Sequence, residues 1–141
     1  MQLNESARGL IGRGADATLV TLNPDGSPHV SLVWVALQST PDGDELVVGH
    51  LSVNANKKVR NVRRDGRVAV MVVSPAGPGH PISSWLSING TARIVEGGAP
   101  ELLTALSQTL APDVDFVPEG APPGFLTRIS IEYVGGIGPW A

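Results

Sequence analysis

The sequence predicts a mainly β, α+β fold: six strands closed into a small antiparallel barrel with short flanking helices. Three observations carry this expectation. Short runs of Val, Leu, Ile and Thr alternate with turn residues along a chain holding 17 glycines and 12 prolines. Segments suited to helices fall between the third and fourth runs and between the fifth and sixth. Two of the runs, His29 to Leu37 and Arg67 to Ser74, are apolar on both faces. A small antiparallel sheet normally shows one face to water. Two apolar faces place one inside a barrel and the other beneath a helix or a second subunit, and a closed barrel that dimerises satisfies both.

The elements follow in chain order. Residues 4–13 read as a short helix capped by Asn4 and weakened by Gly9 and Gly12. Ala17 to Asn23 is a strand. Pro24-Asp25-Gly26 turns the chain, with Pro fixing φ and Gly supplying a positive φ. His29 to Leu37 completes a hairpin. A second turn, Thr40 to Asp44, leads to the strand Glu45 to His50. Asn54 is the expected cap of a helix running to about Asp65, with Gly66 as its stop. Arg67 to Ser74 is the fourth strand, and Pro75 to Pro81 a loop. Ile82 to Val95 is a long fifth strand with a bend at Gly90. Pro100 opens a helix through about Leu110, and a loop with four prolines, Ala111 to Gly124, follows. Phe125 to Val134 alternates, with Phe125, Thr127, Ile129, Ile131 and Tyr133 on one face. The tail from Gly135 to Trp140 reads as irregular, with Trp140 a dimer contact or a lid.

Composition bounds the function. The 141 residues fit one domain, residues 1–141, without an internal linker or repeat. Cysteine is absent, which removes disulfides, thiolate metal sites and thiol nucleophiles. No apolar run approaches the ~20 residues of a membrane span. The first residues carry neither a basic start nor an apolar stretch of the secretory type, so the expectation is a cytoplasmic protein that binds no membrane. The net charge is -3, yet six of the ten cations lie between Lys57 and Arg67. One basic cluster in an acidic chain points to a local anion site. Nucleic-acid binding is disfavoured, because no aromatic platform or second basic patch accompanies the cluster.

The stretch Asn54 to Arg64, with Lys57, Lys58 and Asn61 at or near its first turns, carries most of the chemical signal. Free N–H groups and partial positive charge gather at a helix N-terminus, where anions bind readily. Two lysines there oppose the helix dipole, an arrangement that answers to an anionic ligand; a solvated basic face is the competing reading. His29 and His50 sit at strand ends, where either could line a cleft, but no motif joins them to His80 or to a metal. Trp34 and Trp85 read as core, with Trp85, behind Ser83-Ser84, able to border a cleft. No phosphate-binding loop, dinucleotide fingerprint or nucleophile elbow is present. Any redox chemistry would therefore be carried by a bound cofactor.

Three stretches together resemble a known family: A-T-L-V-T-L-N-P-D-G-S-P-H-V-S (Ala17 to Ser31), K-V-R-N-V-R-R-D-G-R-V-A-V (Lys58 to Val70) and W-L-S-I-N-G-T-A-R-I (Trp85 to Ile94). The chain is similar to the split β-barrel oxidoreductases related to pyridoxamine 5′-phosphate oxidase, and most of all to their flavin/deazaflavin branch that uses coenzyme F420. The resemblance implies an FMN-binding split-barrel fold and a homodimer with the cofactor in a groove between subunits. It implies that Asn56, Lys57, Lys58 and Asn61 hold the cofactor phosphate. Val30, Ser31, Val33, His50, Leu51 and Ser52 would flank the ring, and Ser83, Ser84 and Trp85 would approach from the partner. The implied activity is hydride transfer from F420H2 to a conjugated small-molecule acceptor. An FMN-dependent oxidoreductase and a non-catalytic cofactor-binding module are the alternatives. The sequence departs from the family where Gly66 replaces a common Pro and Asn56 a common Arg. It also lacks the extended Arg and Lys pattern of true pyridoxamine phosphate oxidases, which weighs against that activity and, less strongly, against FMN. Arg60, Arg63 and Arg64 would suit a polyglutamate tail if they face the groove.

Overall fold

A computed structural model describes residues 1–51 and 56–140 of the chain. Among these described residues, three helices and six strands follow one another as α1 (Glu5–Ile11), β1 (Ala15–Leu22), β2 (Pro28–Thr40), β3 (Gly43–His50), α2 (Lys57–Arg64), β4 (Arg67–Ser74), β5 (Ser84–Glu96), α3 (Ala99–Leu110) and β6 (Phe125–Ile137). The strands close into an antiparallel barrel in the order β1-β2-β3-β6-β5-β4. Closure comes from β4 returning to β1, with Leu19 opposite Val70. A closed sheet has no unpaired edge to template aggregation.

The interior follows from alternation. Val33 and Val35 of β2 and Val68, Val70 and Val72 of β4 point inward beside Leu19, Leu46, Leu86, Ile88 and Ile129. Each of these last five is at most 1% exposed. Asn4 caps α1 by accepting from the Ala7 amide, and Ala7 and Ile11 join this core. α3 covers β3 from outside, where Ala99, Val47 and Leu126 form a second small core. Among the described residues the outer face of β2 is open at Val30 and Leu32, 62% and 74% exposed, and that of β4 at Met71 and Val73, 38% and 47% exposed.

Four expectations need correction. The helix after β3 is capped by Asn56, whose Oδ1 accepts from the Val59 amide at 3.0 Å; Asn54 lies outside the described residues. As expected, α2 stops before Gly66, with Asp65 as its C-cap; Gly66 is also required by contact, because a Cβ there would lie 2.7 Å from Ala92 O. The face of β6 changes partway. The pairing shifts between Asn89 and Gly90, so that Asn89 opposes Tyr133 while Gly90 opposes Ile131. Glu132 is the extra residue of this bulge, and it sends Tyr133 outward, 74% exposed, while Val134 packs on the core. The segment after Val134 is also not irregular. β6 continues to Ile137 opposite Trp85, and Trp140 is buried in the main core with its Nε1 donating to Trp85 O at 2.7 Å. Trp85 itself is not core: it stands at the start of β5 and is 36% exposed.

No helix among the described residues is long and apolar enough to cross a membrane.

Candidate functional site

A cavity of about 390 Å³ opens where β2, the end of β3, the start of α2 and the α3–β6 connection meet. Strand β2 supplies Leu32, Val33 and Trp34, and β3 supplies Val48, Gly49 and His50, followed by Leu51. Asn56 and Lys58 enter from α2, Leu103 from α3 and Phe116 from the loop beyond it. The volume falls in the range of small-molecule and cofactor sites, and the lining has their usual character, mostly apolar with a few polar groups converging at one end.

Helix α2 owes its position to a two-sided pattern. Val59 and Val62 are buried against the sheet. Asn61, only 1% exposed, donates from Nδ2 to Thr21 Oγ1 at 3.0 Å and to Asn23 Oδ1 at 3.2 Å. These contacts pin the helix to β1 and aim its N-terminus at the cavity. The first turn holds Lys57 and Lys58 and no acid. Among the described residues no carboxylate pairs with Lys58 and none lines the cavity. That end therefore combines an ammonium group with free helix N–H groups, and an anionic group fits there.

The polar side is organised by His50, 5% exposed. Its Nε2 lies 2.8 Å from Thr127 Oγ1 on β6, and its Nδ1 lies 3.4 Å from Asn56 Nδ2. Burial, helped by the nearby Lys58 charge, pushes its pKa down from 6.5 to about 4. The imidazole is thus neutral at physiological pH. Opposite it, Trp34 meets Phe116 with ring centroids 4.8 Å apart at 40°, forming an apolar wall against which a flat ring can lie.

Of the residues singled out in the sequence, Val33, His50, Leu51, Asn56 and Lys58 come together here. Ser31 lies on the inward face of β2, and among the described residues its buried Oγ, like His29 Nδ1, has no hydrogen-bond partner. Lys57 stands exposed at the helix start and its charge acts on Asp25, whose carboxyl is held low chiefly by Ser27. Val30 shares the outward face of β2 with Leu32 and Trp34 but does not line the cavity. Asn61 is committed to Thr21 and Asn23 and does not reach the cavity. Ser83, Ser84 and Trp85 lie at the start of β5, across the barrel from β2, so they line no part of the cavity within their own chain. Ser52 lies outside the described residues. The arginines of α2 are engaged locally: Arg63 stacks over the Phe125 ring, and Arg64 donates to Leu22 O and Asn61 Oδ1.

Leu32, Trp34, Val48, Gly49, Leu103 and Phe116 complete the cavity without having been assigned to it. One signal was available for Phe116. It is one of only two phenylalanines, and it sits in a proline-rich loop where a large apolar residue needs a packing partner.

The comparisons with known proteins agree with this fold. The family model described as pyridoxamine 5′-phosphate oxidase matches residues 4–138. Among solved structures, an F420 reductase superimposes with a TM-score of 0.74 at 21% identity, covering 94% of this chain and 98% of the other. An FMN-binding protein of Syntrophomonas wolfei gives 0.65 at 15% identity, covering 95% and 85%. A heme-binding protein of Mycobacterium smegmatis gives 0.62 at 21% identity, covering 94% of this chain and 52% of the other. A search of curated proteins finds no match. At these identities the superpositions speak to the fold, whereas the family match spans almost the whole sequence. The chain belongs to the pyridoxamine 5′-phosphate oxidase family and has its split-barrel fold.

Proposed function

We propose that this protein is an F420H2-dependent reductase that passes a hydride to a conjugated small-molecule acceptor. The observation that carries this reading is the pairing of Lys58, at an acid-free helix N-terminus, with an apolar aromatic cavity. A cofactor with an anionic tail and a flat ring fits that combination. Lys58 and Asn56 would hold the anionic group, and Val33, Leu51 and Ser31 would flank the ring. Lys57 would add long-range attraction from the helix start. When bound, the cofactor would supply the hydride; the chain would orient the reactants and keep water from them. Family membership and the likeness to an F420 reductase support an oxidoreductase of this kind.

The same reading includes a homodimer of single-domain subunits working in the cytoplasm. Thr18 on β1 pairs with both Leu32 and Met71, and Val73 pairs with Trp85. Leu32, Met71, Val73 and Trp85 therefore form one outward apolar belt, each at least 36% exposed. A belt of this kind marks an interaction surface. Because Leu32 also borders the cavity, a partner seated on the belt would cover its open side, and Ser83, Ser84 and Trp85 would be supplied from that partner.

FMN is the second reading, favoured by the likeness to an FMN-binding protein. A heme reading gains less, because His50 Nε2 is already bonded to Thr127. Titrating the protein in parallel with F420 and FMN, followed by ligand fluorescence, separates the two. Saturable F420 binding with weak FMN binding is expected. In the Lys58→Ala protein F420 affinity should fall about tenfold or more, the value of one charge-assisted contact, with thermal stability almost unchanged. FMN preference would move the protein to the flavin branch, and affinity unaffected by Lys58→Ala would remove the phosphate assignment.

A further inference from the structure

We propose that Asn56 and Thr127 are positioning residues that together hold His50 in a single tautomer, Asn56 by donating toward Nδ1 and Thr127 by accepting the ring proton at Nε2, so that Nδ1 of His50 faces the cavity as a hydrogen-bond acceptor beside Lys58. The ligand chemistry it selects is an anion carrying a hydroxyl donor close to its charged group, as in a polyol phosphate. The identity of that ligand rests on the function proposed above; the tautomer does not.

Three side chains, Asn56, His50 and Thr127, set the position of the ring proton. Asn56 Oδ1 is committed to the Val59 amide, which fixes the orientation of its carboxamide. Its other end, facing His50 Nδ1 at 3.4 Å, is therefore the NH2 group, which only donates. Nδ1 must then be unprotonated. The ring proton of a neutral imidazole accordingly resides on Nε2, where Thr127 Oγ1 accepts it at 2.8 Å. Thr127 is fully buried, so no water competes for that proton. Asn56 and Lys58 line the cavity and Thr127 does not, so the edge of the ring turned toward a ligand is the Nδ1 edge. The Asn56 contact is long, which leaves the Nδ1 lone pair able to take a better donor. With the Lys58 ammonium alongside, the site offers a cation for the anionic group and an acceptor for a neighbouring O–H. A second donor in place of that acceptor would leave the hydroxyl proton without a partner.

Long-range 15N–1H spectra of the imidazoles, with His50 assigned from a His50→Gln sample, test the tautomer directly. The expected wild-type spectrum has His50 protonated at Nε2 and bare at Nδ1. Thr127→Val should shift the proton toward Nδ1 and weaken F420 binding about tenfold, a typical value for one buried hydrogen bond. Thr127→Ser, which keeps the hydroxyl, should restore both. A wild-type His50 protonated at Nδ1 overturns the proposal, and so does a Thr127→Val protein with unchanged spectrum and affinity. Should Thr127→Val fail to fold, Asn56→Asp serves. Aspartate still caps the helix but presents an acceptor to Nδ1, so the proton should move to Nδ1 and His50 should titrate higher. An unaltered spectrum there overturns the assignment. If the wild type binds neither F420 nor FMN, the proposed function fails while the spectra still decide the tautomer.

Discussion

Lowering the pH from about 7 to about 5 should destabilise this protein through His50, and the size of the effect can be worked from the site. The folded state holds His50 at about 4 against an ordinary value of 6.5. Its stabilising contribution is therefore complete above the unfolded value and is lost as the pH falls toward the folded one. In that window the unfolded chain binds a proton that the folded chain refuses. The full difference amounts to about 3.4 kcal/mol, at about 1.36 kcal/mol for each tenfold change in proton affinity. By about pH 5 roughly 2 kcal/mol of this is lost. The depressed carboxylates, Asp44, Glu45 and Asp65, lose their contribution in the same direction but only below their ordinary values near 4. The two effects are thus separated in pH. Urea unfolding of wild type and His50→Gln at several pH values measures both. The wild type should lose about 2 kcal/mol between about pH 7 and 5, and the variant should be nearly flat over that interval. A flat wild-type profile, or an equal slope in both proteins, would refute the burial argument for His50.

Other outcomes follow from the same geometry. Asn56→Ala removes the α2 cap and should cost about 1 kcal/mol by chemical unfolding, with a loss of F420 affinity, whereas Asn56→Ser should recover most of the stability. Gly90→Ala should cost about 3 kcal/mol, because a Cβ at that position would overlap Ser130 O across the β5–β6 bulge; a stability within experimental error of wild type would contradict the bulge geometry. Met71→Glu with Val73→Glu places two charges in the apolar belt without touching the cavity lining. Light scattering after gel filtration should then report half the wild-type mass, and an unchanged mass would place any dimer contact elsewhere. Phe116→Ala should leave the fold intact, since Phe116 is 45% exposed, while weakening aromatic ligands by about fivefold through loss of one ring contact.

Much of the architecture was legible in sequence because local chemistry dictates it. Period-two apolar runs gave the strands, Pro24-Asp25-Gly26 the first hairpin, and Asn4 the cap of α1. Double-sided apolarity in β2 and β4 implied both barrel closure and an outer face awaiting cover. The lysine pair at the start of α2 was legible for a similar reason: its conflict with the helix dipole is visible in any linear chain. What was not legible depends on contacts between distant residues. The β6 bulge follows from Gly90 approaching Ser130 O, and alternation along β6 alone continues straight through it. The family resemblance implied a phosphate-binding role for Asn61, yet Thr21 and Asn23, some forty residues away, claim its amide.

The sequence by itself determined the strand count, the helix carrying the cations and the absence of thiol chemistry, because each depends on residue type and spacing along the chain. Only the tertiary structure decided which residues share the cavity. Leu103 and Phe116 reach it because α3 and its loop fold back over β2 and β3. His50 becomes a neutral acceptor because β6 brings Thr127 to one ring nitrogen and α2 brings Asn56 to the other. Burial and hydrogen-bond direction belong to the folded chain, and they set the chemistry of that histidine.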